Sequence, residues 1–254
     1  MNYNFFDKIY CINLITRNDR YMSATNTFNK LNIKNVEFCR VNKSDKGGRY
    51  GCFESHIDII KKSLKLNLNN ILIFEDDIRP SNYYNLELLN NSIKFMKNNN
   101  WDVFYLGYLA SNKNYFRDNI FMSHNNISKN IISYNPGATH AYCLNNNSMK
   151  KILLHYEKYI NNTHYDMFLT NKKIFNNYCT IPMLFEQNWC YDIDNSIHGF
   201  DEYFLRKCQC FCGDYLNINS NISYLIYLFN YFKIVIYILI LIIIFICINK
   251  YVKN

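Results

Sequence analysis

No internal repeat runs through the 254 residues, no cluster of Lys and Arg is dense enough to track a nucleic acid, and no unbroken apolar run precedes Asn13 and Arg17. The first absence leaves one ordinary α/β domain of about 200 residues plus an accessory segment as the expected organisation. The second sets nucleic acid aside. The formal net charge of +8 is spread along the chain, which suits a nucleotide diphosphate or a membrane surface equally well. The third removes the usual export signal, so the ten cysteines are expected as reduced thiols. Cys208, Cys210 and Cys212 alternate, but no second Cys or His pair stands nearby at zinc-site spacing.

Glycine and proline are also scarce, at seven and three residues. Asn, Ile, Lys, Tyr and Phe are in excess, a bias that an AT-rich genome produces without selection on function. Single residues of these types therefore carry little weight. Triplets such as Asn126-Ile127-Ser128 and Asn221-Ile222-Ser223 arise by chance in such a chain and say little about glycosylation.

One long apolar run is present. Residues 231–249 read YFKIVIYILILIIIFICIN, with fifteen unbroken apolar residues from Ile234 to Ile248. About 19 helical residues at ~1.5 Å each match the hydrocarbon thickness of a bilayer. A buried core helix is the alternative; the length of the run favours a single-pass transmembrane helix, preceded by a linker at 216–230 and followed by a short basic tail at 250–254. Lys233, Lys250 and Lys253 are too evenly divided to fix its orientation. A cytosolic catalytic domain at 1–215 is the expectation.

Upstream, the short apolar segment Ile9–Leu14, a helix-compatible stretch Asp19–Leu31 and the segment Val36–Val41 read as β-α-β. A helix is predicted over Cys52–Leu68, then a strand Ile71–Phe74, a helix Leu86–Lys97, strands Asp102–Leu106 and Ala141–Leu144, and helices Ser148–Ile160 and Tyr165–Phe175. Between Asn112 and Asn135 the periodicity fades, and loops or a hairpin are expected. The pattern predicts an α/β domain with a mostly parallel central sheet.

Directly after the Ile-Leu-Ile-Phe strand come three acids, Glu75-Asp76-Asp77. The C-terminal end of a buried strand is where open α/β sheets bind ligands. In extended backbone Glu75 and Asp77 share a side, so the pair suits a hard divalent cation, with Asp76 turned to backbone donors or a nucleotide ribose. A cation there would neutralise a departing diphosphate. The plainer alternative is that the acids cap the next loop or pair with Arg79.

These acids belong to an ordered series: Ile12-Asn13-Leu14 with Asp19-Arg20; Gly51-Cys52-Phe53-Glu54-Ser55-His56; Ile73-Phe74-Glu75-Asp76-Asp77; Ala138-Thr139-His140-Ala141-Tyr142; Tyr165-Asp166-Met167-Phe168-Leu169; and Gln187 before Asp192-Ile193. The series resembles glycosyltransferase family 25, the family of lipooligosaccharide and procollagen galactosyltransferases, from about residue 8 to about residue 195. The resemblance implies a GT-A-like nucleotide-sugar-binding domain, a UDP-sugar donor that is often UDP-galactose, a divalent metal such as Mn²⁺, and inverting transfer to a hydroxyl of a glycan, glycolipid or protein acceptor.

Carried over motif by motif, the resemblance assigns Asn13, Arg17, Arg20, Ser55, His56 and Asp76 to the donor and Glu75 and Asp77 to the metal. Asp192 is a candidate third ligand, beside Asp194 and His198, because the downstream element departs from the family pattern. Arginine forks suit a diphosphate, although Arg17 and Arg20 would also serve as surface charges on the first helix. Ser55 and His56 are placed in the first helical turn, where N–H groups attract an anion; a structural histidine is the other reading of His56. An inverting transfer needs a base for the acceptor hydroxyl. Asp166 takes that role, with helix capping as its alternative, while Thr139, His140 and Gln187 are placed in the pocket or on the acceptor side. Cys52, four residues before His56, has no carboxylate orienter that would make it a thiol nucleophile. The rival from another class is a membrane-tethered binding protein that kept the fold and lost turnover. Three adjacent acids that repel one another without a cation argue against it.

Overall fold

The computed structural model describes residues 2–109, 126–128 and 130–188. The segment 231–249, its linker and tail, Asp192, Asp194, His198 and the Cys208–Cys212 run lie outside the described residues. Among those described, no helix is long and apolar enough to cross a membrane.

Ten strands are described: β1 (Lys8–Leu14), β2 (Val36–Val41), β3 (Asn70–Glu75), β4 (Ile78–Pro80), β5 (Val103–Leu109), β6 (Asn126–Ser128), β7 (Ile131–Ser133), β8 (Gly137–Asn145), β9 (Asn177–Thr180) and β10 (Phe185–Gln187). Eight form one sheet in the order β2-β1-β3-β8-β5-β9-β7-β6, and β10 pairs with β4. In the large sheet β7 and β8 run against the other six strands. The sheet is therefore mostly parallel by strand direction, as the pattern predicts, but mixed by pairing. The expected hairpin between Asn112 and Asn135 is present as β6–β7.

Five helices cover the sheet: α1 (Asn18–Lys30), α2 (Gly48–Lys65), α3 (Leu86–Asn98), α4 (Asn146–His155) and α5 (Tyr165–Leu169). β3 lies between β1 and β8, and Ile71, Leu72, Ile73 and Phe74 are fully buried. A strand flanked on both edges and covered on both faces needs such an unbroken apolar run. Its alternating side chains enter two cores. Leu72 and Phe74 pack with Ala24 and Phe28 of α1 and with Leu88, Leu89 and Met96 of α3. Ile71 and Ile73 pack with Phe53, Ile57 and Ile60 of α2, Met149 of α4, and Phe168 of α5.

Several boundaries differ from expectation for physical reasons. α2 begins four residues early, because Gly47 adopts φ 93 and admits the chain into a first turn of Gly48-Arg49-Tyr50-Gly51, a weak helix former by propensity. α4 starts at Asn146 through a reciprocal Asn145/Ser148 capping box and gives way after His155 to a short 3-10 turn, Tyr156–Lys158. α5 stops at Leu169, so the expected helix to Phe175 is a single five-residue segment. The strands β4, β9 and β10 are three or four residues long and lack the apolar alternation that reveals a strand.

Close packing fixes β5 against β8 and β10. A Cβ on Gly107 would stand 2.6 Å from both His140 Nε2 and the Phe185 carbonyl oxygen. Since the carbonyl belongs to backbone, it has little room to retreat. Gly107→Ala is expected to cost about 1–3 kcal/mol, seen as a lowered thermal midpoint; an unchanged midpoint would show that the sheet yields here.

Candidate active site

The acids follow β3 into a turn. Its strand ends at Glu75, and Asp76-Asp77 form the turn leading into β4. The extended backbone on which Glu75 and Asp77 would share a side is therefore absent, and the three carboxylates have separate surroundings. Glu75 Oε1 accepts from Thr139 Oγ1 (2.7 Å) and stands 3.7 Å from His56 Nε2. Asp76 is buried and doubly held: Oδ2 accepts from Asn13 Nδ2 (2.7 Å) and Oδ1 from Arg20 Nη1 (3.2 Å). Asp77 Oδ2 lies 3.7 Å from Arg20 Nη1 and at the limit of a hydrogen bond to Gln187 Nε2 (3.4 Å). Asp77 Oδ1 is buried with no hydrogen-bond partner among the described residues.

Their electrostatics separate in the same way. Burial, then the charge of Glu75, pushes the Asp77 carboxyl up to about 7. Burial also raises Asp76, over the opposing pull of Arg20 and Asn13. Burial pushes Glu75 upward too, but the His56 and Thr139 contacts outweigh it and hold its carboxyl below the ordinary value. Two half-buried carboxylates on either side of a buried one carry a repulsion that Arg20 only partly offsets. Arg20→Met would leave Asp76 charged and buried without its cation, at an expected cost of about 3–5 kcal/mol. Chemical unfolding measures this, and an Arg20→Met/Asp76→Asn double variant should recover part of it. Equal stabilities of Arg20→Met and the native protein would remove Arg20 from this role.

A cleft of about 100 Å³ opens beside the acids, lined by Ile12, Leu14, Arg20, Val41, Asn42, Lys43, Ser44, Gly48, Gly51, Cys52, Ser55, His56, Glu75 and Asp76. It gathers the C-terminal ends of β1, β2 and β3 and the N-terminal turn of α2, where ligands of open α/β sheets bind. Its N-cap, Gly47, has no side chain to cap the helix, and its first turn contains no acid, so its N–H groups and dipole favour an anion. Arg20 and Lys43 supply positive charge. A larger hollow of about 1050 Å³ lies at the opposite end of β1, around Asp7 and Lys8, away from the acids.

Not every expected donor residue faces this cleft. Asn13 is buried, donates to Asp76 and to the Arg17 carbonyl, and accepts from Arg40 Nε (3.2 Å); it organises the site from behind. Arg17 grips Asp19 through two bonds (3.0 and 2.8 Å) at the start of α1. Ser55 lines the cleft, but its hydroxyl donates to the Gly51 carbonyl (2.7 Å). Because α2 begins at Gly48, Ser55 and His56 sit more than one turn inside the helix and not in its first turn. His56 is fully buried, bonded to Tyr142 Oη (2.9 Å) and stacked on Tyr165 at 4.2 Å.

The acceptor-side residues also spread out. Thr139 supports Glu75. His140 is buried, not pocket-lining: its Nε2 meets the Phe185 carbonyl (3.3 Å), and burial lowers its pKa to about 4, leaving it neutral. Among the described residues, the Gln187 side chain reaches Asp77. Asp166 is half-buried in the first turn of α5, whose N-cap is His164. Its Oδ2 accepts the Ala138 N–H (3.0 Å) and its Oδ1 the Met167 N–H (2.7 Å). Ala138 has φ 62, a left-handed conformation costly for a residue with a Cβ, and Asp166 fastens it one peptide from Thr139. Cys52 is half-buried on the cleft wall, and desolvation, then the negative charges of Glu75, Asp166 and Asp77, drives its thiol upward, which argues against a nucleophilic thiolate. Arg40 and Lys43 were not legible as site residues; the parallel register that sets Arg40 beside Asn13 appears only in the fold.

Among the described residues no three His, Cys, Asp or Glu side chains converge as a preformed metal cage. The chemistry of Glu75 and Asp77 nevertheless fits a hard cation. Both offer oxygen ligands, Asp77 Oδ1 is an acceptor without a donor among the described residues, and their repulsion is what a cation relieves.

Solved structures align with this chain at low identity and low TM-score. A glycosyltransferase involved in glycosylation of the major capsid of PBCV-1 aligns over 71% of this chain and 94% of its own, with 10% identity and TM-score 0.45. A protein from STIV aligns over 76% and 98%, with 9% identity and TM-score 0.41. UDP-glucose pyrophosphorylase complexed with UDP-glucose aligns over 71% and 74%, with 10% identity and TM-score 0.39. No curated protein sequence matches. The sequence signature described as "Glycosyltransferase family 25 (LPS biosynthesis protein)" matches residues 43–169, half of the chain, and spans α2, the acids and Asp166. The protein is a glycosyltransferase. It belongs to glycosyltransferase family 25.

Proposed function

We propose that this glycosyltransferase moves a hexose, galactose in the first instance, from a UDP-sugar to a hydroxyl of a glycan, glycolipid or protein, with a divalent metal and with inversion. The observation that carries the reading is the cleft itself: an uncapped helix N-terminus, Arg20 and Lys43 meet beside an acid trio whose outer members repel each other. Such a surface accepts a diphosphate and a cation together more readily than either alone.

Glu75 and Asp77 would hold the metal, which supplies charge neutralisation to the departing diphosphate. The N–H groups at the start of α2 and Lys43 receive the diphosphate oxygens. Arg20 keeps Asp76 in place and adds its charge to the cleft wall, while the apolar floor of Ile12, Leu14 and Val41 is kept for the nucleoside. Asp166 takes the acceptor proton as the hydroxyl attacks the face of the sugar opposite the diphosphate. Carboxylate oxygens have about four lone-pair sites, and two backbone bonds leave acceptor capacity while fixing its direction. The apolar run at 231–249 would tether this reaction to a membrane.

Calorimetry of UDP with the full chain tests the cleft assignment. UDP should bind more tightly with Mn²⁺ than with EDTA, and Lys43→Ala should weaken it about tenfold, the equivalent of one charge-assisted contact of ~1.4 kcal/mol. Binding indifferent to both metal and Lys43 would reject the arrangement.

A further inference from the structure

α2 presents two different faces, about a third of a turn apart at 3.6 residues per turn. Gly48, Gly51, Cys52 and Ser55 line the donor cleft. Arg49, Phe53 and His56, at i, i+4 and i+7, address the segment that carries Asp166: Phe53 meets Tyr165 and Phe168 at 5.1 and 5.6 Å, and His56, which also reaches the edge of the cleft, stacks on Tyr165. Arg49 is the polar member of this face. Its Nη1 donates to the carbonyls of Ile160 (3.1 Å) and Thr163 (3.0 Å), and its Nη2 to that of Asn161 (2.5 Å). The turn between the 3-10 segment and α5 is thus closed onto the helix by one guanidinium. A cation in the first turn of a helix opposes the helix dipole, so the side chain stands there against local preference, and its three carbonyl partners explain why.

We propose that Arg49 is a positioning residue that sets the distance between the donor cleft and Asp166. It ties the first turn of α2, which forms the cleft wall, to the turn that delivers α5, and Asp166 in α5 in turn holds Ala138 beside the Thr139–Glu75 contact. The flat fork suits three carbonyls at once, a geometry that the compact lysine ammonium does not match. The aromatic contacts of Phe53 and Tyr165 keep α5 against α2 when Arg49 is lost, so the change is a displacement and not an unfolding. The proposal rests on the reading of Asp166 and the cleft given above.

The test compares Arg49→Met and Arg49→Lys with the native full chain in three measurements: Mn²⁺-dependent UDP binding, UDP release from a UDP-sugar, and backbone amide exchange by mass spectrometry. Binding should stay within about twofold, while release falls about 10–100-fold in Arg49→Met, since small misplacements of reacting groups carry penalties of that order. Arg49→Lys should fall between. Exchange should accelerate over residues 160–170 and at Ala138. Unaltered release, or release and UDP binding falling together, would overturn the proposal. If the native chain releases no UDP from any donor, the transfer reading fails by itself, and unchanged exchange at 160–170 and Ala138 in Arg49→Met would still refute the clamp.

Discussion

Asp77→Asn is expected to lower metal-dependent sugar transfer by about 10³-fold or more, the several kcal/mol that a bound cation contributes to a departing phosphoryl oxygen, without lowering stability. Asparagine has the same shape and no charge, so it relieves the repulsion with Glu75 that, after burial, pushes the Asp77 carboxyl up to about 7. The pH dependence has a defined sign. The folded value lies above the unfolded one, so in metal-free protein the contribution of protonated Asp77 is complete below about pH 4 and is lost as pH rises through about 7. Unfolding of the metal-free native chain should therefore show a downward component over that window that Asp77→Asn lacks. Mn²⁺ must displace the same proton, so its apparent affinity should climb by up to tenfold per pH unit below 7 and level off above it. A variant that kept metal-dependent turnover, or a metal affinity flat across the window, would take Asp77 out of the site.

Asp166→Asn is expected to reduce turnover by about 10²–10⁴-fold, the usual contribution of a placed general base, while UDP binding persists. The amide has one acceptor oxygen where the carboxylate has two, so it can retain either the Ala138 or the Met167 bond but not both. Loss of positioning and loss of basicity are separated by the pH profile. If Asp166 is the base, the native low-pH limb of kcat/KM disappears in the variant; if it only fastens Ala138, the limb survives at reduced height.

At the β2-β1-β3 end of the sheet, β1 and β3 were readable because they are largely buried apolar runs, whereas β2 is only half-buried. Val36–Val41 stands where it was expected, and β1, α1 and β3 differ by a residue or so. The acids at the end of β3 were readable for the same reason, since a strand of Ile-Leu-Ile-Phe announces its own C-terminal end. What escaped has three physical causes. Glycines at 47, 48 and 51 concealed the start of α2 and with it the helix N-terminus of the cleft. A turn at Asp76-Asp77 looks in sequence like two more extended residues, so the shared face assumed for Glu75 and Asp77 did not survive. Finally, Arg40, Lys43 and Arg49 take their roles from partners 25 to 114 positions away, or from a cleft wall, and no local pattern encodes these. His56 is buried, as its structural-histidine reading has it, while the burial of His140 was not legible, because it depends on packing against β5 and the Phe185 carbonyl.

The most direct test is to incubate the full chain with a panel of UDP-sugars and Mn²⁺ and to follow UDP release with and without EDTA. Release from one donor, abolished by chelator, is the result expected of a metal-dependent transferase built on Glu75 and Asp77. Release that persists undiminished in EDTA, or silence across the panel while UDP still binds, would contradict it.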